Sequence, residues 1–153
     1  MKDTIKVTGR FNIICRDKNG NIKWEDTVYN TVVTAGKAQL ALLAGDASAT
    51  PFTYLEVGTS STAVSAGQTA LQAAITDSGL ARAAATVSRT TTTVTNDTLS
   101  LVYTWTASGS KTIEEIGVFN ASSSGTMLSR ALTGSKSITS GETIQATYTI
   151  AFA

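Results

Sequence analysis

Apolar and polar residues alternate along most of this chain, and the alternation is densest between Leu99 and Phe119. Leu99, Leu101, Tyr103 and Trp105 fall on one face of an extended segment, with Ser100, Val102, Thr104 and Thr106 on the other, as a half-buried strand requires. Ser108-Gly109-Ser110 separates this run from a second, Thr112 to Phe119. The spacing predicts two adjacent antiparallel strands with β-branched and aromatic contacts between them.

The same period recurs on both sides. Ile5, Val7, Phe11, Ile13 and Cys15 alternate with Lys6, Thr8, Arg10, Asn12 and Ile14, with Gly9 as an expected bulge. Asn19-Gly20 then signals a hairpin, and Ile22, Trp24, Thr27, Val28 and Tyr29 form the return strand. Residues 1–30 read as a long hairpin whose charge suggests an exposed edge or an arm. A short helix is expected from an N-cap at Thr34 to a stop at Gly45, with Leu40 and Leu43 facing inward. Phe52 to Val57 reads as a strand, Gly58 to Gly67 as a polar loop, and Thr69 to Ile75 as a second helical turn. Leu80 to Val94 reads as one long strand and Thr126 to Leu132 as another. A turn region follows from Gly134 to Ser140, with a short stretch of strand around Ile138. In the last run, Ile144, Ala146, Tyr148, Ile150 and Phe152 alternate with Thr143, Gln145, Thr147, Thr149 and Ala151, giving one apolar and one threonine-rich face. Many strands, little helix and closely spaced turns predict a mainly β single domain over residues 1–153, a β-sandwich or closed barrel.

Charge and composition remove several functions. Twelve Lys and Arg against eleven Asp and Glu leave a formal charge of +1, so electrostatics alone predicts neither a nucleic-acid nor an anionic-membrane partner. The first residues lack the apolar run of a signal peptide, and nothing later forms an uninterrupted membrane span. Cys15 is the only cysteine; it reads as a buried strand residue of a protein made in a reducing compartment. The absence of histidine removes Ser-His-Asp, Cys-His and histidine zinc chemistry. No phosphate-cradling glycine motif occurs. A pair of carboxylates drawn from Glu56, Glu114, Glu115 and Glu142 is the surviving enzymatic option. Glu114 and Glu115 cannot be that pair from one strand, because neighbours point to opposite faces. Catalytic residues, cofactors and metal ligands are therefore expected to be absent.

Glu115 shares a face with Ile113 and Phe119 in an unbroken strand. Its carboxylate is expected either to reach water or to pair with Arg82, Arg89 or Arg130, fixing a junction between sheets or protomers.

The order of several segments resembles that of small structural proteins of tailed-bacteriophage virions, a group that includes head decoration or cement proteins and tail- or fibre-associated proteins. The shared segments are Asn30-Thr31-Val32-Val33-Thr34-Ala35-Gly36-Lys37, Leu40 to Gly45, Leu55-Glu56-Val57-Gly58-Thr59-Ser60 and Gln68 to Leu71. Ile113 to Asn120 and Gly125 to Arg130 complete them. The resemblance implies a jelly-roll-like sandwich assembling as a homo-oligomer, a trimer, on the virion of a phage made in the host cytoplasm. Shortness and the lack of a coiled-coil or collagen-like shaft favour a cement protein on the capsid exterior bound to the major capsid protein. The alternative is a tail- or fibre-associated structural or receptor-binding module that contacts a tail protein or a host surface glycan. The expected contacts are Phe11, Ile13, Trp24 and Tyr29 in the arm, Gly58 and Thr59 in the loop, and Arg82, Arg89, Glu115 and Arg130 for cohesion.

Overall fold

The computed structural model describes residues 2–153 and turns the alternating runs into strands. β1 (Val7–Arg16) and β2 (Ile22–Tyr29) form the first hairpin. Its turn is built on Asp17, whose carboxylate accepts the backbone N–H groups of Asn19 at 2.8 Å and Asn21 at 3.0 Å. Gly20 takes a φ of 83° there, which a residue without Cβ adopts freely. After Asn30 come β3 (Thr31–Val32) and the helix α1 (Thr34–Gly45). The chain continues as β4 (Tyr54–Gly58), β5 (Ala83–Ala84) and β6 (Thr86–Thr90), then β7 (Thr98–Thr106), β8 (Lys111–Phe119), β9 (Met127–Ile138) and β10 (Thr143–Phe152).

Over the described residues the strands form two five-stranded antiparallel sheets. Sheet A has the order β2-β1-β10-β7-β6 and sheet B the order β3-β9-β8-β4-β5. The apolar faces meet between them as a sandwich. Phe11, Ile13 and Cys15 of β1, Ile144, Ala146, Tyr148 and Ile150 of β10, and Leu101 and Trp105 of β7 pack with Leu55, Val57, Ile113, Ile116, Val118 and Ile138 of sheet B. Each fully buried Val, Leu, Ile or Phe among them contributes about 1.5–3 kcal/mol of transfer free energy. The Phe11 and Tyr148 rings lie 4.7 Å apart. Burial pushes the Cys15 thiol up to about 11, so it stays protonated and unreactive at neutral pH.

Several local expectations give way to tertiary contacts. The first hairpin is not a free arm: β1 lies between β2 and β10, and its Phe11, Ile13 and Cys15 belong to the core. Gly9 keeps the ladder in register opposite Ile150, and the bulge falls instead at Cys15/Arg16. Gly9 is needed for another reason, since a Cβ there would run into the Asn30 carboxamide. A jelly-roll order would carry successive strands back and forth between sheets. Here the hairpins β1–β2 and β6–β7 stay within sheet A, and β8–β9 within sheet B. The expected strand from Leu80 to Val94 is broken, because β5 pairs in sheet B while β6 crosses to sheet A. The turn expected after Gly134 is strand up to Ile138, with Gly134 at φ 64° beside a bulge between Ile113 and Glu115.

The helix starts one residue earlier than expected, with Val33 in the N-cap position and no side-chain cap. Tertiary contact replaces the cap. Gly36 is buried against the backbone of β9, where a Cβ would meet the Leu128 carbonyl and Cα. Gly36→Ala is therefore expected to lower stability by up to about 2 kcal/mol, the overpacking cost of about 1–3 kcal/mol less the helix-propensity gain of about 1. Thermal unfolding checks this: a raised Tm would mean that α1 shifts away from β9 without cost.

Candidate interaction surface

The outer faces of the two sheets differ, and the difference begins with the register shift between β8 and β9. An unbroken strand would place Ile113 and Glu115 on one face. The ladder with β9 shifts there, with Thr133, Gly134 and Ser135 standing opposite Glu114 alone, and Ile113 lies in the core while Glu115 lies on the outer face, in line with Gly117 and Phe119. Glu115 and Arg130 are both fully buried there, with Arg130 Nε donating to Glu115 Oε2 at 2.6 Å. The same carboxylate accepts the backbone N–H of Gln72 at 3.0 Å and that of Ala73 at 2.7 Å. Arg130 Nη1 donates to Gln68 Oε1 at 3.1 Å. One ion pair thus clamps residues 68–73 onto sheet B.

The clamp explains why the helical turn expected at 69–75 does not form. Two of its backbone N–H groups are committed to the carboxylate, and Ala74 instead bridges to Gly58. Gly58 lies beneath this contact, where a Cβ would collide with Glu115 and the Ala73 carbonyl. Leu71 then packs with Val33, Phe119 and Met127 in a second, smaller apolar cluster outside sheet B.

A second clamp sits beside it. Arg82 grips Glu56 through Nε at 3.1 Å and Nη2 at 2.9 Å. Its Nη1 donates to the carbonyls of Ala121 at 3.1 Å and Ser124 at 2.8 Å, and the guanidinium lies 3.7 Å from the Phe119 ring centroid. Planar bidentate geometry and stacking on a ring are what arginine supplies and lysine does not. Glu56 and Glu115 are therefore counter-ions of arginines, committed to holding segments in place. Among the described residues no group of three or more His, Cys, Asp or Glu is placed to hold a metal, and no helix is long and apolar enough to cross a membrane.

The outer face of sheet A carries no such cover. Its central strands present Arg10 and Asn12 from β1, Gln145, Thr147 and Thr149 from β10, and Val102 and Thr104 from β7. Concavities on this face are lined by Arg10, Asn12, Thr27, Thr147 and Thr149 on one side and by Lys6, Thr8, Tyr29, Thr92 and Thr98 on the other. Threonine hydroxyls dominate it.

One rim of this face is the loop between β6 and β7. Asp97 accepts the backbone N–H groups of Thr92 at 2.8 Å, Thr93 at 2.7 Å and Val94 at 2.7 Å, and the Thr98 hydroxyl at 2.8 Å. The Val94 and Thr92 amides hold its carboxyl well below the usual carboxylate range. A depressed folded pKa contributes stability that is present above the unfolded value of about 3.9 and is lost as pH falls through the folded value. The loop is thus expected to keep its order in acid well below that unfolded value. Amide exchange of Thr92 to Val94 checks this, and Asp97→Ala should abolish their protection at every pH.

The residues singled out from the sequence separate into groups. Phe11 and Ile13 are core residues and offer nothing to a partner. Trp24 is half-buried at the β2 edge, its Nε1 donating to the Ser137 carbonyl at 2.9 Å. Tyr29 is 71% exposed on the open side. Gly58 is buried, whereas Thr59 is exposed with its N–H donated to Ala73. Arg89 is exposed on β6 and makes no ion pair among the described residues. Of the three arginines weighed for Glu115, Arg130 takes it and Arg82 takes Glu56. Lys6, Thr8, Arg10 and Thr149 were not singled out. The signal for them lay in the threonine-rich alternation of the last strand, which marks β10's outer face without showing which strands flank it.

A two-sheet β scaffold with one face sealed by its own chain and the other open defines a protein that acts through its surfaces. Residues 31–149 match the family described as Podophage GP4 fiber I protein gp80, and the chain belongs to that family. It is a tailed-phage structural protein of fibre or tail-associated type. The chain matches no curated protein and no solved structure. Of the two branches of the virion resemblance, this is the fibre and tail branch, and head decoration gains no support from it.

Proposed function

We propose that this chain is a non-catalytic subunit on the tail side of the virion that presents the open face of sheet A to a partner outside the particle. The observation that carries the reading is the family match over residues 31–149, which includes both clamps and most of the strands of each sheet. The asymmetry of the sandwich supports it. Sheet B is sealed by α1 and by the segment that Glu115 and Arg130 hold, while sheet A remains open with Tyr29 projecting at its edge. Self-association into a trimer fits the exposed apolar side chains Ile5, Val7 and Phe152, of which Val7 and Phe152 pair across β1 and β10. Several weak contacts made by one oligomer then add to a stable attachment.

Labelled antibody on intact virions, with heads and tails separated afterwards, tests the location. Label that follows the tail fraction supports the reading. Label that follows heads, together with co-sedimentation of the purified protein with empty heads, would replace it with capsid decoration.

A further inference from the structure

The two edges of sheet A differ in what protects them. β2 is latched to sheet B, with Trp24 Nε1 donating to the Ser137 carbonyl at 2.9 Å and Asp26 paired with Lys136 at 3.1 Å. It also carries Lys23, Glu25 and Asp26, charges of the kind that discourage strand addition. β6, Thr86-Val87-Ser88-Arg89-Thr90, has no such protection. All five residues are exposed, the ladder with β7 runs without a bulge, and Arg89 carries the one charge in the strand.

Its free backbone groups follow from the ladder. The Phe152 N–H donates to the Asp97 carbonyl and the Ala107 N–H to the Glu142 carbonyl, so the odd-numbered residues of β7 turn toward β10. The even ones, Thr98, Ser100 and Val102, therefore bond to Thr90, Ser88 and Thr86. The N–H and C=O groups of Val87 and Arg89 are left directed outward. Both side chains share the face of Leu99 and Leu101, and Val87 is 49% exposed there.

We propose that the segment Asp3-Thr4-Ile5 of a second copy adds antiparallel to this edge, with Asp3 opposite Arg89, Thr4 opposite Ser88 and Ile5 opposite Val87. Each cross-strand pair matches in chemistry: carboxylate with guanidinium, hydroxyl with hydroxyl, and the 75% exposed Ile5 with Val87. Asp3, Thr4 and Ile5 are all exposed, and neither Asp3 nor Arg89 makes an ion pair among the described residues. A parallel approach would set Ile5 on Arg89 and Asp3 against Val87. The pairing cannot form within one chain. Lys6 is tied to Ala153 by backbone hydrogen bonds in both directions, and β10, β7 and β6 stand between it and the free edge. A strand added there lies four spacings away, about 19 Å, whereas Ile5 is one residue, about 3.4 Å, from Lys6. The segment must come from a neighbouring copy. Because segment and edge are different surfaces, the contact runs head-to-tail and can close a ring.

This inference rests on the self-association proposed above and is independent of the place on the virion. Sedimentation velocity at low salt compares the full-length protein with Asp3→Lys, Arg89→Glu and the double variant, and thermal unfolding checks that each folds. The expected result is a concentration-dependent oligomer, weakened about tenfold by either single reversal and restored in the double variant, where opposite charges face each other again. Thr4 and Ser88 would form a non-hydrogen-bonded pair, close enough for a disulfide. Thr4→Cys/Ser88→Cys, treated with glutathione disulfide, should therefore cross-link between chains on a non-reducing gel. An oligomer undiminished by both single reversals, no recovery in the double variant, or no interchain cross-link would overturn this contact and leave self-association standing. A monomeric unaltered protein would overturn both.

Discussion

Replacing Arg130 with methionine is expected to lower the unfolding free energy by about 3–5 kcal/mol, the cost of leaving one member of a buried ion pair without its partner. Methionine fills most of the volume but supplies no donor. Glu115 would then remain at 0% exposure with only the Gln72 and Ala73 amides to compensate its charge. Glu115→Leu should cost as much, and it strands those two amides as well. The double variant Glu115→Leu/Arg130→Met is the informative one. It removes both buried charges, so it should recover part of the loss. The 68–73 segment would nonetheless have nothing to hold it on sheet B. Urea unfolding reads the global term, and limited proteolysis between Gly58 and Ile75 reads the local one. If the double variant resisted proteolysis as well as the unaltered protein, the clamp would not be what places this segment.

Trp105→Ala should cost a similar 3–5 kcal/mol, by cavity formation rather than by charge. For a chain of this size that corresponds to a fall in Tm of roughly 6–20 °C. Trp105 is 2% exposed, touches the Tyr103 ring edge-on at 5.0 Å, and donates Nε1 to the Ala81 carbonyl at 2.8 Å. That hydrogen bond ties the stretch before β5 to sheet A, so Trp105→Phe separates its two roles. Keeping most of the ring while removing the donor should cost only about 1–3 kcal/mol. A phenylalanine variant as unstable as the alanine variant would show that the Ala81 contact, and not the ring volume, dominates.

These two residues also show where sequence reading succeeds and where it stops. Trp105 is legible because its environment follows from strand period alone. Leu99, Leu101, Tyr103 and Trp105 alternate toward the core, and the register of β7 with β10 sets them against Ile150, Tyr148, Ala146 and Ile144. Glu115 is only half legible. A buried carboxylate paired with an arginine can be anticipated from its strand position, but the face it occupies cannot. The alternation inverts at the register shift between Ile113 and Glu115, where the extra residues lie on β9, and nothing in the β8 run itself marks it. The concavity on the open face is less legible still, since Arg10, Thr149 and Thr92 are neighbours only because sheet order brings β1, β10 and the loop after β6 together.

By itself the sequence determined the class of the protein: a mainly β body with a threonine-rich face on its last strand, a single cysteine at a strand position, and no histidine with which to build the usual proton-transfer or zinc chemistry. Those properties follow from residue type and period-two spacing, which are local. Which sheet face is sealed, which arginine meets which glutamate, and where the open concavity lies were decided by the tertiary structure. Each depends on strand order, on a bulge, or on an irregular segment whose backbone is satisfied by a side chain far away in sequence. Such long-range pairings balance desolvation against geometry, and residue identity alone does not set that balance.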